Sequence, residues 1–113
     1  MKSEGQIQAK ILKFLRTSGP ACWVIKVEIC NERGVPDILC CYKGRFVGLE
    51  VKTEKGRLSG PQRVQNERIR RACGRAVVVR SIEDVQAVLE HIDREVETDA
   101  ECLKAHKYKQ SET

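Results

Sequence analysis

The chain holds six cysteines but no Cys-x-x-Cys pair, and only two histidines, three prolines, one tryptophan, two tyrosines and two phenylalanines. Without paired cysteines or clustered histidines, the usual tetrahedral zinc ligand sets are missing. His91 is expected in a late helix and His106 in a polar tail. The cysteines (Cys22, Cys30, Cys40, Cys41, Cys73, Cys102) are read as free thiols rather than a disulfide framework, with Cys40 and Cys41 adjacent inside an apolar run. No apolar stretch approaches the ~20 residues a membrane helix needs, and no secretory leader is expected, so a cytoplasmic chain that avoids membranes is anticipated. There is no large excess of one charge either. The 21 Lys+Arg against 16 Asp+Glu leave +5, which favours a polyanionic partner without demanding one.

At 113 residues the chain is enough for one domain with a single core. Ser3 with Gln6 makes a capping-box signal, Ile7, Ile11, Leu12, Phe14 and Leu15 recur at helical spacing, and Ser18-Gly19-Pro20 ends the run. Cys22 to Ile29 reads as a strand and Cys30 to Pro36 as a loop. Asp37 to Tyr42 reads as a central strand, joined by a tight Lys43-Gly44-Arg45 turn to an antiparallel strand from Phe46 to Thr53. A polar loop leads to a helix opening near Gly60-Pro61 and stopping before Gly74. Ala76 to Arg80 forms a buried-type strand, and Ser81 with Asp84 caps a last helix bearing Ile82, Val85, Val88, Leu89 and Ile92. The order is αβββαβα, in a domain spanning residues 1–97, and residues 98–113 are read as a polar tail.

Two short stretches carry the chemistry: Gly34-Val35-Pro36-Asp37, and Glu50-Val51-Lys52. Along a strand, residues two apart share a face, so Glu50 and Lys52 project together while Leu49 and Val51 point away. Asp37 reaches the same face if its strand pairs with theirs. Two carboxylates and a lysine are what phosphodiester hydrolysis requires. A hard divalent cation takes carboxylate oxygens and water, and a nearby ammonium orients the attacking water or balances charge. The competing structural readings are plain ones. Asp37 after a proline is a natural turn residue, Lys52 is a natural ion-pair partner for Glu50, and Glu4 suits the first turn of any helix. Gln62, on one arc with Asn66 and Ile69, can cap or pack.

These elements, in this order, resemble the PD-(D/E)xK nuclease superfamily, and within it the virus-type replication-repair nuclease (VRR-NUC) domains in their standalone, phage-like form. The resemblance runs from residue 4 to about residue 90. It rests on Glu4, Gly34-Val35-Pro36-Asp37, Glu50-Val51-Lys52, Leu58-Ser59-Gly60-Pro61-Gln62 and Gly74-Arg75-Ala76-Val77-Val78-Val79-Arg80-Ser81. It implies an α/β, restriction-endonuclease-like core with a mixed central sheet flanked by helices. It also implies a metal-dependent endonuclease using Mg²⁺ or Mn²⁺, held by Asp37, Glu50, the Val51 carbonyl and Glu4. Lys52 would stand by the attacking water, with Gln62 supporting the site. The expected substrate is branched DNA such as four-way (Holliday) junctions, cut by a homodimer.

Arg33, Lys55 and Arg57 in the flanking loops, and Arg63, Arg70 and Arg71 on the second helix, are candidate DNA contacts. Such contacts would go to phosphates, which position a duplex without reading its sequence. Each is equally a solvated surface charge. Trp23 reads as core or interface. For a dimer, Trp23-Val24-Ile25 and Val77-Val78-Val79 are the candidate surfaces. The alternative functions are a non-catalytic nucleic-acid-binding module, a flap-cutting or nicking nuclease, and a restriction-type enzyme.

Overall fold

A computed structural model describes residues 2–106. The elements are α1 (Glu4–Arg16), β1 (Cys22–Lys26), β2 (Ile38–Tyr42), β3 (Arg45–Val51), α2 (Gly60–Arg71), β4 (Arg75–Val79) and α3 (Ile82–His106). The strands form one sheet in the order β1-β2-β3-β4. The first two pairings are antiparallel and β3–β4 is parallel. This is the mixed, helix-flanked sheet anticipated from the sequence.

Local chemistry accounts for the boundaries. The Ser3–Gln6 capping box forms as expected. Lys43 and Gly44 both take positive φ, 49° and 83°, as the two-residue hairpin between Tyr42 and Arg45 requires. β1 stops at Lys26, earlier than the expected Ile29. The last ladder bond runs from Val27 N to Asp37 O at 2.9 Å. Beyond it the partner strand passes into the Pro36 loop, and no further pairing is made.

α3 departs most from expectation. Its helix continues through Thr98 to His106, so residues 98–106 are not a tail. From Ile82 onward the sequence holds neither glycine nor proline to stop a helix. Asp99 also pairs with Arg45. Residues 107–113 lie outside the described residues.

One sheet face packs Ile38, Cys40, Tyr42, Val47, Leu49, Val51 and Val79 against Ile11, Leu12 and Leu15 of α1 and Val85, Leu89 and Ile92 of α3. Burial pushes the Cys40 thiol up to about 12, so it stays protonated. Cys22, Cys30, Cys40, Cys41 and Cys73 are all free, as expected. No helix among the described residues is long and apolar enough to cross a membrane.

The other sheet face carries Gly48 and Glu50 and receives α2. A Cβ on Gly48 would lie 2.8 Å from Pro36 Cγ and 3.3 Å from Ile69 Cδ1. Glycine there lets the Pro36 loop and α2 close onto the sheet. Toward edge strand β1 the same face is open. Trp23 (55% exposed), Ile25 (40%) and Phe46 (41%) are left to solvent, whereas Val79 is buried and Val77 and Val78 are partly covered.

Candidate active site

The β2–β3 register sets Ile38 opposite Leu49, which places Asp37 opposite Glu50, within the ~5 Å of facing residues in an antiparallel pair. Asp37 Oδ2 accepts a hydrogen bond from Val51 N at 2.9 Å. One step further, Lys52 N donates to Val79 O at 3.1 Å. Lys52 Nζ then lies 4.0 Å from Glu50 Oε1 on the shared face.

Glu50 is the unusual group. It is 1% exposed, a charged residue type inside a sheet–helix interface. Gln62 Nε2 donates to its Oε1 at 2.8 Å. Its Oε2 is buried with no hydrogen-bond partner. The carboxyl is pushed up to about 8, first by burial, then by the proximity of the Asp37 carboxylate. Lys52 opposes the shift and Glu4 adds the smallest upward push. An orphaned carboxylate oxygen beside a second carboxylate is an arrangement that a cation relieves, since it supplies the missing partner and cancels the repulsion.

The donor set is all oxygen, which suits a hard cation and not zinc. Among the described residues, no three His, Cys, Asp or Glu side chains are grouped to hold a metal by themselves. A cation at Asp37 and Glu50 would therefore complete its shell with backbone oxygen and water. Glu4 is exposed on the first turn of α1 and influences Glu50 through charge.

Gln62 both caps α2 and touches Glu50. Its Oε1 accepts from Ser59 N at 2.8 Å and its backbone N donates to Ser59 Oγ at 3.3 Å, a capping box that starts α2. The other end of the same amide reaches Glu50. Gly34 explains the rest of its motif. With φ +80°, it lies so close to α2 that a Cβ would come within 2.3 Å of Pro61 C and O and 2.6 Å of Gln62 N. Gln65 Nε2 reinforces the contact by donating to Arg33 O at 3.2 Å.

The candidate DNA contacts divide. Arg33, Lys55 and Arg57 are exposed in the two loops beside the site, and Arg63 is exposed next to Gln62. Arg70 and Arg71 are not brought to it. They lie eight and nine residues beyond Gln62, ~12 Å along the helix axis at 1.5 Å per residue. Arg70 Nη2 donates to Ala76 O at 2.7 Å, tying α2 to β4, and Arg71 pairs with Glu67 at 3.3 Å. The sequence reading missed Asn66, which is 1% exposed with both amide atoms unpartnered, and Arg80, whose guanidinium binds carbonyls of the turn after Lys52. Asn66 was visible only as an inward position of α2, and Arg80 only as the last basic residue of its motif.

No protein-family model and no curated protein matches the chain. Solved structures do. One described as "VRR_NUC domain" is 28% identical with a TM-score of 0.66, covering 78% of this chain and 95% of its own. A "VRR_NUC domain protein" is 14% identical with a TM-score of 0.66, covering 79% of this chain and 86% of its own, and speaks to the fold alone. The match over nearly the whole of the first neighbour, together with the four-stranded mixed sheet whose β2 and β3 bring Asp37, Glu50 and Lys52 together, supports a VRR-NUC domain of nuclease type.

Proposed function

We propose that the chain is a metal-dependent DNA endonuclease that hydrolyses phosphodiester bonds with Mg²⁺ or Mn²⁺. The observation that carries this reading is Glu50, a buried carboxylate with one orphaned oxygen, its proton held up to about 8, facing Asp37 and within 4.0 Å of Lys52. Asp37, Glu50 and the Val51 carbonyl would hold the cation, and Glu4 would reach its water shell. The bound ion would offset phosphate charge and lower the pKa of a coordinated water.

The chain's own residues have defined tasks. Gln62 fixes one Glu50 oxygen so that the other faces the site. Lys52 holds a positive charge where the attacking water and the phosphate oxygens meet. Arg33, Lys55, Arg57 and Arg63 supply phosphate contacts around the site.

Branched DNA, such as a four-way junction, is the proposed substrate and a homodimer the proposed working unit. Two symmetric cuts on a junction call for two sites related by a two-fold axis. The exposed apolar side chains of Trp23, Ile25 and Phe46 support self-association more than Val77-Val78-Val79 does.

The test is cleavage of labelled linear duplex, flap and four-way-junction DNA side by side in Mg²⁺, Mn²⁺, Zn²⁺, Ca²⁺ and EDTA. Cleavage in Mg²⁺ and Mn²⁺, preferring the junction, is expected, with little in Zn²⁺ or Ca²⁺. Strong cutting in EDTA would refute the metal reading, and equal cutting of linear duplex would refute structure selection.

A further inference from the structure

Arg80 follows β4 directly, one residue after Val79 O accepts from Lys52 N. Its backbone N–H donates to Asp84 Oδ2 at 2.8 Å, which anchors it to the first turn of α3. From there its guanidinium turns back toward the loop that follows β3. Nη1 donates to Gly56 O at 3.0 Å, to Glu54 O at 3.2 Å and to Thr53 O. One nitrogen thus gathers three carbonyls of a single turn, which is itself closed by Gly56 N donating to Thr53 O at 3.0 Å.

That turn lies against Lys52. A Cβ on Gly56 would sit 3.2 Å from Lys52 Cβ and 3.3 Å from Lys52 Cδ, so the glycine backbone is a wall along the lysine stem. The Lys52 side chain is 12% exposed with its ammonium 4.0 Å from Glu50. A lysine has four rotatable side-chain bonds, and confining it costs rotamer entropy. The ion pair alone does not fix the stem, because it grips only the tip.

We propose that Arg80 is a positioning residue for Lys52. By clamping the Thr53–Gly56 turn through its carbonyls, it holds the wall that keeps the Lys52 ammonium beside Glu50. The proposal rests on the nuclease reading of the site. A direct phosphate contact is the competing role for an arginine here, but this guanidinium nitrogen is already engaged by three protein oxygens.

The experiment is steady-state cleavage by Arg80→Ala and Arg80→Lys, each in the wild-type and Lys52→Ala backgrounds, with amide exchange of residues 53–56 followed in parallel. Arg80→Ala is expected to lower kcat by ~10-fold or more, the scale of losing a well-held orientation, with KM within ~2-fold. Exchange at Gly56 should quicken. Arg80→Lys should recover part of kcat, since one ammonium replaces some of the carbonyl contacts. In the Lys52→Ala background Arg80→Ala should add less than ~2-fold, because the two act as one unit. A loss of the same size in both backgrounds, unchanged kcat, or an effect confined to KM and salt dependence would each overturn the proposal. If Arg80→Ala does not fold, Arg80→Lys carries the same comparison. Inert wild-type protein would take down the nuclease reading and this proposal with it, whereas an active wild type matched by Arg80→Ala overturns this proposal alone.

Discussion

Glu50→Gln separates what the buried carboxylate costs the fold from what it gives the site. The substitution keeps the shape and an oxygen for Gln62, and it removes the charge. In metal-free wild-type protein the Glu50 proton is retained up to about 8, against 4.5 for the ordinary group. Between those values the unfolded chain has released this proton and the folded chain has kept it. Stability is therefore fully present below 4.5 and is lost as pH rises toward about 8. The slope is ~1.4 kcal/mol per pH unit. Across the window this amounts to ~5 kcal/mol as an upper bound, and ~2 kcal/mol once water entry and the coupling to Asp37 are allowed for.

Glutamine has no such proton to lose. In EDTA, Glu50→Gln should match the wild type near pH 5 and exceed it by ~2 kcal/mol at pH 8.5, raising Tm by roughly 10 °C for a domain of this size. Adding Mg²⁺ or Mn²⁺ should reverse the ranking. A cation bound at 100 times its Kd stabilises the wild type by ~2.7 kcal/mol, and a neutral amide is a poor ligand for it. Urea unfolding at pH 5, 7 and 8.5, with EDTA and with Mg²⁺, measures all of this. A wild-type-minus-variant difference that stays flat with pH in EDTA would refute the reasoning, as would equal Mg²⁺ stabilisation of both proteins.

Lys52→Ala should lower turnover by ~10²–10³-fold while DNA affinity, measured by fluorescence anisotropy in Ca²⁺, stays within ~3-fold; near-normal cleavage would show the lysine to be structural. Gly34→Ala forces a Cβ into the Pro61 backbone at 2.3 Å and strains φ +80°, and should destabilise by ~2 kcal/mol or more in urea melts. Light scattering at micromolar protein should give twice the monomer mass, and Trp23→Lys should reduce it to the monomer; a wild-type monomer with and without junction DNA would end the dimer reading.

The sequence made the fold legible where periodicity and turn chemistry agreed. Lys43-Gly44-Arg45 announced a tight hairpin, which the structure shortens to the two residues Lys43-Gly44, and the hairpin set the register that lays Asp37 beside Glu50. The end of β1 was less legible because it depends on the partner strand. Val27 to Ile29 looks like strand by composition, but the ladder ends where the partner strand begins, with the bond from Val27 N to Asp37 O. The length of α3 was misjudged because its last turns lack an apolar stripe, the signal that periodicity reads, whereas helix propensity and the absence of a stop decide the outcome. Arg70 illustrates a further gap. It was grouped with Arg63 and Arg71 on the second helix as a candidate DNA contact, but a carbonyl of β4 sits within its reach, and only the tertiary packing reveals that.

The parts of the site scattered along the chain act as one mechanical unit, and α2 is where they meet. Gly34 presses on the backbone of Pro61 and Gln62, so the Asp37-bearing loop and the start of α2 cannot move independently. Gln62 closes its own capping box with Ser59 and, through the other end of its amide, fixes Glu50. A change that frays the first turn of α2 must therefore turn the Glu50 carboxylate as well. A cap alone contributes only ~1 kcal/mol to a helix. Here the same amide also holds Glu50 Oε1 at 2.8 Å, so the loss of Gln62 is felt more at the site than in the stability of the helix.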